Sequence, residues 1–269
     1  MSSASGGSVS WLGGIAYYRN DYDRGMDGKR PMFGATGSAA FDPIWPVLLG
    51  VPLDLPDQSG IHDSSVQTRY LGVFGNVSWQ LTGRLSLATA LRWQREEKDA
   101  TIDNSVTAPG ASLISLVLTP TLAPDGQPVN GALDRESDDV TWSVTPSYRI
   151  SDALMGYFTV ARGAKSGGFN TGFGNAPLSS REFGDEDVRH YELGARGTLA
   201  HERARFSAAA FYTEYEDFQD AAFIGAQFTV VNVEQVDLRG VEVEGQLLLG
   251  ANVMADLYGI GRASCRERV

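Results

Sequence analysis

The chain has 269 residues, 42 % of them hydrophobic, with 22 Lys and Arg against 33 Asp and Glu. The net charge of −11 excludes a nucleic-acid binder, which needs clustered cations to displace counterions. No stretch reaches the roughly 18–20 consecutive apolar residues of a membrane helix, but a barrel stays open because its alternating strands escape hydropathy windows.

Met1 is followed by Ser, Ala and Gly, with no basic or apolar leader region, so no signal peptide is read and the chain is expected to be a piece of a longer protein. Period-two patterning then predicts nine strand passes. They are Val9–Tyr22, Thr68–Leu81, Leu85–Glu97, Asp139–Ile150, Leu154–Arg162, His190–Leu199, Arg203–Tyr215, Phe228–Leu248 and Asn252–Gly259. The cleanest is Asp139–Ile150, where Val140, Trp142, Val144, Pro146, Tyr148 and Ile150 oppose Thr141, Ser143, Thr145, Ser147 and Arg149. In the eighth pass alternation slips between Gln235 and Gly240, which predicts a bulge there.

Such two-faced strands also suit a soluble β-sandwich, with the apolar faces meeting inside. The connections argue for a membrane wall. Leu81–Leu85, Ile150–Leu154 and Leu199–Arg203 read as tight turns, while 24–67, 102–138, 163–189 and 216–227 read as long loops, so short and long alternate. Long irregular loops are uncommon in compact domains but normal on the external side of outer-membrane barrels. Trp79 and Tyr148 fall near the short-turn ends, and Trp93, Trp142, Tyr191 and Tyr212 near the long-loop ends, as two aromatic girdles would. The fold class is therefore all-β, an antiparallel up-and-down transmembrane barrel of which this chain is an incomplete slice. Its acidic loop stretches, Arg135–Asp139 and Glu182–Asp187, either keep the loops soluble or select charged ligands.

Catalytic patterns are missing. His62, His190 and His201 are scattered, no Ser occupies a G-x-S-x-G elbow, and Gly13–Gly14 opens no helix. Glu242 and Glu244 read as solvated lumen residues rather than an acid/base pair. No enzyme, metal site or cofactor is expected. The last ten residues, Ile260–Val269, read IGRASCRERV and break the strand pattern around the single Cys265. Back-translation gives ATC GGA AGA GCG TCG TGT AGG GAA AGA GTG, the sequence of a common short-read sequencing adapter, so residues 260–269 are expected to be an artefact and 1–259 the protein. Without them the balance is 19 basic to 32 acidic residues, a net −13.

The stretch GAKSGGFN (Gly163, Lys165, Ser166, Gly167, Gly168, Phe169 and Asn170, with Ala164 where an aromatic is usual) closes an upward strand. Its place suits a turn in which Gly167 and Gly168 permit positive φ and Phe169 packs back on the strand tops. With YELG (Tyr191, Glu192, Gly194), AAFYTEYEDFQ (209–219) and VNVEQVDLRGVEVE (Asn232, Gly240 and Glu242 among them), it resembles the barrel of TonB-dependent outer-membrane receptors. The resemblance covers roughly Asp139–Gly259, and less specifically Val9–Glu97. It implies a slice of about nine strands from a 22-stranded barrel in the bacterial outer membrane, bathed in lipid. It also implies uptake of a scarce nutrient, a ferric siderophore foremost, driven by TonB–ExbB–ExbD through a plug and TonB box that this stretch lacks. Phe169, Phe173, Arg181 and Phe183 are the loop residues it offers as ligand contacts. The alternatives are a passive porin, a barrel-anchored surface protein, and the soluble sandwich as a carbohydrate-binding module.

Overall fold

Among the described residues nine long strands run up and down in sequence order, each hydrogen-bonded to the next, in a single antiparallel sheet. The computed structural model describes residues 7–24, 30–33, 60–106, 129–172, 177–199, 203–224, 227–248 and 254–268. The strands are β1 (Val9–Arg24), β2 (Arg30–Phe33), β3 (Gly60–Gln80), β4 (Leu85–Val106), β5 (Gly131–Ser151) and β6 (Leu154–Lys165). Then come β7 (Gly168–Phe169), β8 (Glu182–Phe183), β9 (Glu186–Leu199), β10 (Ala204–Ile224), β11 (Gln227–Leu248) and β12 (Met254–Arg268). The spatial order is β1-β3-β4-β5-β6-β9-β10-β11-β12, with short β2 also on β3 and β7–β8 forming a separate small hairpin.

Two of the three expected tight turns are built from local side-chain bonds, and residues 200–202 of the third lie outside the described residues. Between β3 and β4 the Thr82 hydroxyl accepts from the backbone N–H groups of Arg84 and Leu85 at 3.2 and 3.0 Å. Between β5 and β6 the Ser151 hydroxyl accepts from the N–H of Ala153 at 3.3 Å. Hydroxyls that mimic a backbone turn are a common way for Ser and Thr to reverse the chain.

The two faces of the sheet are inverted relative to a soluble protein. Along β5 the polar set is the enclosed one, with Ser137 and Asp139 buried and Thr141 to Ser147 half-buried at alternate positions. The opposite set, Val140, Trp142, Val144 and Tyr148, is 37–49 % exposed. The same holds across the wall, where Ile15, Leu91, Leu193 and Leu257 stand out from the surface at 58–74 % exposure. The few buried apolar residues (Tyr70, Ala100, Ile102, Tyr157 and Val236) lie on the enclosed face among polar neighbours. Among the described residues no second layer covers the apolar face, so the sandwich reading fails. Burying each of these side chains gains about 1.5–3 kcal/mol, which hydrocarbon supplies and water does not.

Girdle residues take the expected levels. Trp79 pairs with Leu87 and Tyr148 with Leu85 beside the turns, whereas Trp93 pairs with Val73 and Val140 higher up. Tyr191 and Tyr212 stack across β9 and β10 with ring centroids 6.4 Å apart.

Strand ends differ from the sequence expectation. β3, β4 and β5 run on through 60–67, 98–106 and 131–138, so the ladder consumes part of each long loop. Of the segment 216–227, expected to be a loop, residues 216–224 and 227 are strand: Glu216 pairs with Gln235 and the ladder continues to Ile224 opposite Gln227. Above the girdle neither face meets hydrocarbon, so nothing selects apolar and polar residues to alternate, and the pattern that marks a strand fades while the strand persists. The expected bulge at 235–240 is present as a register shift between Arg239 and Val241, but the extra residue sits on β12, between Gly261 and Ser264. Past that shift β12 pairs on through Arg268 opposite Gln235.

Candidate functional site

At the long-loop end the connection from β6 to β9 folds into the β7–β8 hairpin, where Gly168 pairs with Phe183 and Phe169 with Glu182. This hairpin holds the GAKSGGFN segment and is moored on both sides. Toward β5, the Asp185 carboxylate accepts from the Gly167 N–H at 2.6 Å, the Ser137 hydroxyl at 2.8 Å and the Arg135 guanidinium at 2.7 Å. Arg135 also meets Glu182 at 2.5 Å, and Lys98 of β4 donates to the Gly167 carbonyl at 2.6 Å while pairing with Glu96 at 2.6 Å. Burial alone would raise the Asp185 pKa. The Gly167 N–H, the Ser137 hydroxyl and Arg135 outweigh it and hold the carboxyl below its ordinary range.

Toward β10 and β11 the mooring is made by amides. Gln219 donates to the carbonyls of Lys165, Ser166 and Gly184 at 3.3, 3.2 and 3.0 Å. Asn232 accepts from the Gly184 N–H at 2.6 Å and donates to the Asp217 carbonyl at 2.7 Å. Asn170 makes a reciprocal pair with Val230, donating to its carbonyl and accepting from its N–H, both at 2.8 Å. Asp217 takes φ of 54°, a left-handed conformation uncommon outside glycine, at the point where β10 carries on past the girdle.

The glycines of the motif serve close approach. Gly131 is the one described glycine with positive φ, so Gly167 and Gly168 do not use the left-handed freedom they permit. Instead a Cβ on Gly167 would fall 2.2 Å from the Phe183 carbonyl oxygen and 2.7 Å from the Arg135 guanidinium carbon. One on Gly168 would meet the Phe183 ring at 2.8 Å.

The remaining sequence-picked residues separate by location. Lys165 and Ser166 give their backbone carbonyls to the mooring, and Gly163 ends β6 opposite Val188. Tyr191 belongs to the outer girdle. Glu192 is on the enclosed wall, accepting from the Tyr157 hydroxyl at 2.7 Å, and Gly194 lies under the Tyr157 ring, where a Cβ would meet it at 2.3 Å. Gly240 marks the register shift, and Glu242 is an exposed residue opposite Ala209. Of the four ligand candidates, Phe169 and Phe183 are half-buried in the hairpin and Phe173 lies outside the described residues. Arg181 is 1 % exposed and donates to the carbonyls of Asn170 and Gly172 at 3.1 and 2.6 Å. It braces the loop from within.

Sequence reasoning missed Arg135, Asp185, Lys98 and Gln219 as the residues that fix the mouth. Arg135 and Asp185 fall in acidic loop stretches, and their partnership spans 50 positions, beyond the reach of any local pattern. Among the described residues no group of three or more His, Cys, Asp or Glu is placed to hold a metal. His62 contacts the Ser64 hydroxyl and His190 the Thr213 hydroxyl, on separate strands.

Comparison with known proteins follows this geometry closely. The family profile described as TonB dependent receptor-like, beta-barrel, matches residues 3–263. The pesticin receptor of Yersinia enterocolitica (serotype O:8, biotype 1B) is 26 % identical over 208 residues, covering 77 % of this chain and 28 % of that protein. The pesticin receptor of Yersinia pestis is 26 % identical over 207 residues, with the same coverage. The chain thus spans little more than a quarter of these relatives' length. Among solved structures, the ferric yersiniabactin uptake receptor FyuA of Yersinia pestis superimposes with a TM-score of 0.69 at 20 % identity, over 98 % of this chain and 34 % of that one. The siderophore receptor PiuA of Acinetobacter baumannii gives 0.60 at 16 % identity, over 99 % and 39 %.

Proposed function

The chain belongs to the TonB-dependent receptor β-barrel family of the bacterial outer membrane, and on that premise we propose that it forms the wall and part of the mouth of a receptor importing a ferric siderophore. The observation that carries the reading is the inverted sheet, apolar outward and polar inward, crowned by a hairpin held rigid over the enclosed side. Such a wall is unfavourable in water and suits lipid as part of a closed barrel. The moored hairpin puts loop residues at a fixed place above the lumen, where function concentrates. Further support comes from the names of the similar proteins, of which FyuA is a ferric yersiniabactin receptor and PiuA a siderophore receptor.

On this reading Phe169, Phe173 and Phe183 supply ring surface to the chelate, with Arg181 holding the loop behind them. TonB–ExbB–ExbD would supply energy through a plug and TonB box elsewhere in the polypeptide. The test is uptake of radiolabelled ferric chelates by an iron-starved host that lacks its own receptors and carries the complete gene. Uptake should require both TonB and the 163–187 segment. Uptake that continues without TonB would turn the assignment to a passive pore.

A further inference from the structure

The outer face carries a charged row at the upper rim of the apolar belt that the mouth does not use. Side chains on one face of a strand stand two residues apart. Two residues toward the mouth from the outward Tyr17, Leu71, Trp93 and Tyr191 stand Arg19, Arg69, Arg95 and Arg189. Arg162 of β6 lies opposite Arg189 of β9. These five arginines form one row over β1, β3, β4, β6 and β9 where the girdle ends, with side chains 32–53 % exposed.

Their carboxylate partners stand one step further out. Arg19 meets Asp21 at 3.1 Å, Arg69 meets Asp99 at 2.7 Å and Arg189 meets Glu216 at 2.7 Å, while Arg95 pairs with Glu136 and Arg162 with Asp187. Ladder registers place each of these acids nearer the mouth than the arginine row, Asp99 opposite Gln67 and Asp187 opposite Ala164 for example. The row itself also holds Asp138 and Glu214, at the longer distances of 3.6 Å from Arg95 and 3.8 Å from Arg189. Two registers set arginine directly against arginine, Arg19 with Arg69 and Arg162 with Arg189. Like charges directly opposed across a ladder destabilise it, which an anion between them would relieve. A guanidinium has five N–H donors, and one carboxylate takes two of them in the forked geometry.

We propose that the two opposed arginine pairs, Arg19 with Arg69 and Arg162 with Arg189, are seats for the phosphate groups of outer-leaflet lipid headgroups. The pairs are continuous with the apolar face below them, so a phosphate tethered to acyl chains arrives at their depth when its chains cover that face. A soluble anion would instead meet the outer carboxylates first. Those carboxylates also confine a seated phosphate to the arginine row, and the planar guanidinium fork matches phosphate oxygens. The proposal rests on the outward face meeting lipid and is independent of which chelate the mouth takes.

The experiment takes the complete receptor in a neutral detergent and titrates it with short-chain phosphatidic acid, reading bound lipid by native mass spectrometry. Diacylglycerol of the same chains and inorganic phosphate are the other arms. Phosphatidic acid should be retained, neither of the others should be, and added salt should weaken retention. Arg69→Gln and Arg189→Gln should each weaken it about three- to tenfold. Arg196→Gln, on the enclosed face over the Tyr157 ring, should leave it unchanged. Amide-exchange protection of β3 and β9 checks each variant for a folding defect. Where a Gln variant loses that protection, Arg69→Lys or Arg189→Lys, which keeps the charge and removes the fork, takes its place and should also weaken retention. Equal retention of diacylglycerol, or no response to substitution in either arginine pair, overturns the site. Inorganic phosphate binding as tightly through the same arginines overturns the lipid assignment. Because the readout is lipid retention, either result leaves the iron-uptake test of the receptor reading intact.

Discussion

A methyl group at Gly167 has no room, with a backbone oxygen at 2.2 Å and a guanidinium carbon at 2.7 Å from where it would sit. Gly167→Ala should therefore lift the β7–β8 hairpin off β5, read as faster amide exchange through residues 163–187 with the lower wall unchanged. Asp185 gives the same segment a pH dependence. Its carboxyl titrates below the unfolded value, so its stabilisation is complete above the ordinary carboxylate range and disappears as pH falls through the lowered folded pKa. Limited proteolysis should show the hairpin resistant at neutral pH and cleaved in strong acid, and Asp185→Asn should abolish most of that difference. Asn170→Ala removes two backbone bonds to Val230 and should cost about 1–3 kcal/mol locally, measured by exchange at Val230. At this scale the motif glycines were legible as special, but the reason was not. A period of two says which face a residue takes, never which backbone oxygen will approach from 16 positions away.

Individual strands were the most legible part of the sequence. β5 shows why: lipid on one side and a polar lumen on the other force its residues to alternate, and the alternation can be read directly. The upper half of the β10–β11 hairpin was misread because water on both sides removes that selection. Membrane depth gives a direct test on the same elements. Leu193→Arg, in mid-belt on β9, should destabilise the complete barrel by about 2–4 kcal/mol in a reversible lipid-folding titration. Arginine at Thr145, on the enclosed face of β5 and hydrogen-bonded to Thr159 at 3.0 Å, should cost much less. Equal penalties at the two positions would contradict the assignment of the outer face to hydrocarbon.

For the whole molecule the decisive fact is the pair of open margins. Among the described residues β1 and β12 each have one neighbour in the sheet, leaving a row of backbone donors and acceptors that lipid cannot satisfy, at several kcal/mol for each group. The chain alone should therefore give no discrete conductance steps in a planar bilayer. Steady single-channel openings would show that it closes on itself. Family and location were legible from the order of the sequence blocks, and the alternation of faces agreed with them independently. The ligand was not legible, because affinity at a mouth depends on side chains brought together across loops, and no strand periodicity constrains those.

The two-sided tethering of the β7–β8 hairpin has a kinetic consequence. Most of the wall can grow one neighbour at a time, since nearly every ladder joins strands that are adjacent in sequence. The hairpin's tethers instead reach β4, β5, β10 and β11, so they form only after strands on both flanks have arrived. Protease resistance of the 163–187 segment would then appear late in assembly, and could be used to time the docking of the last flank.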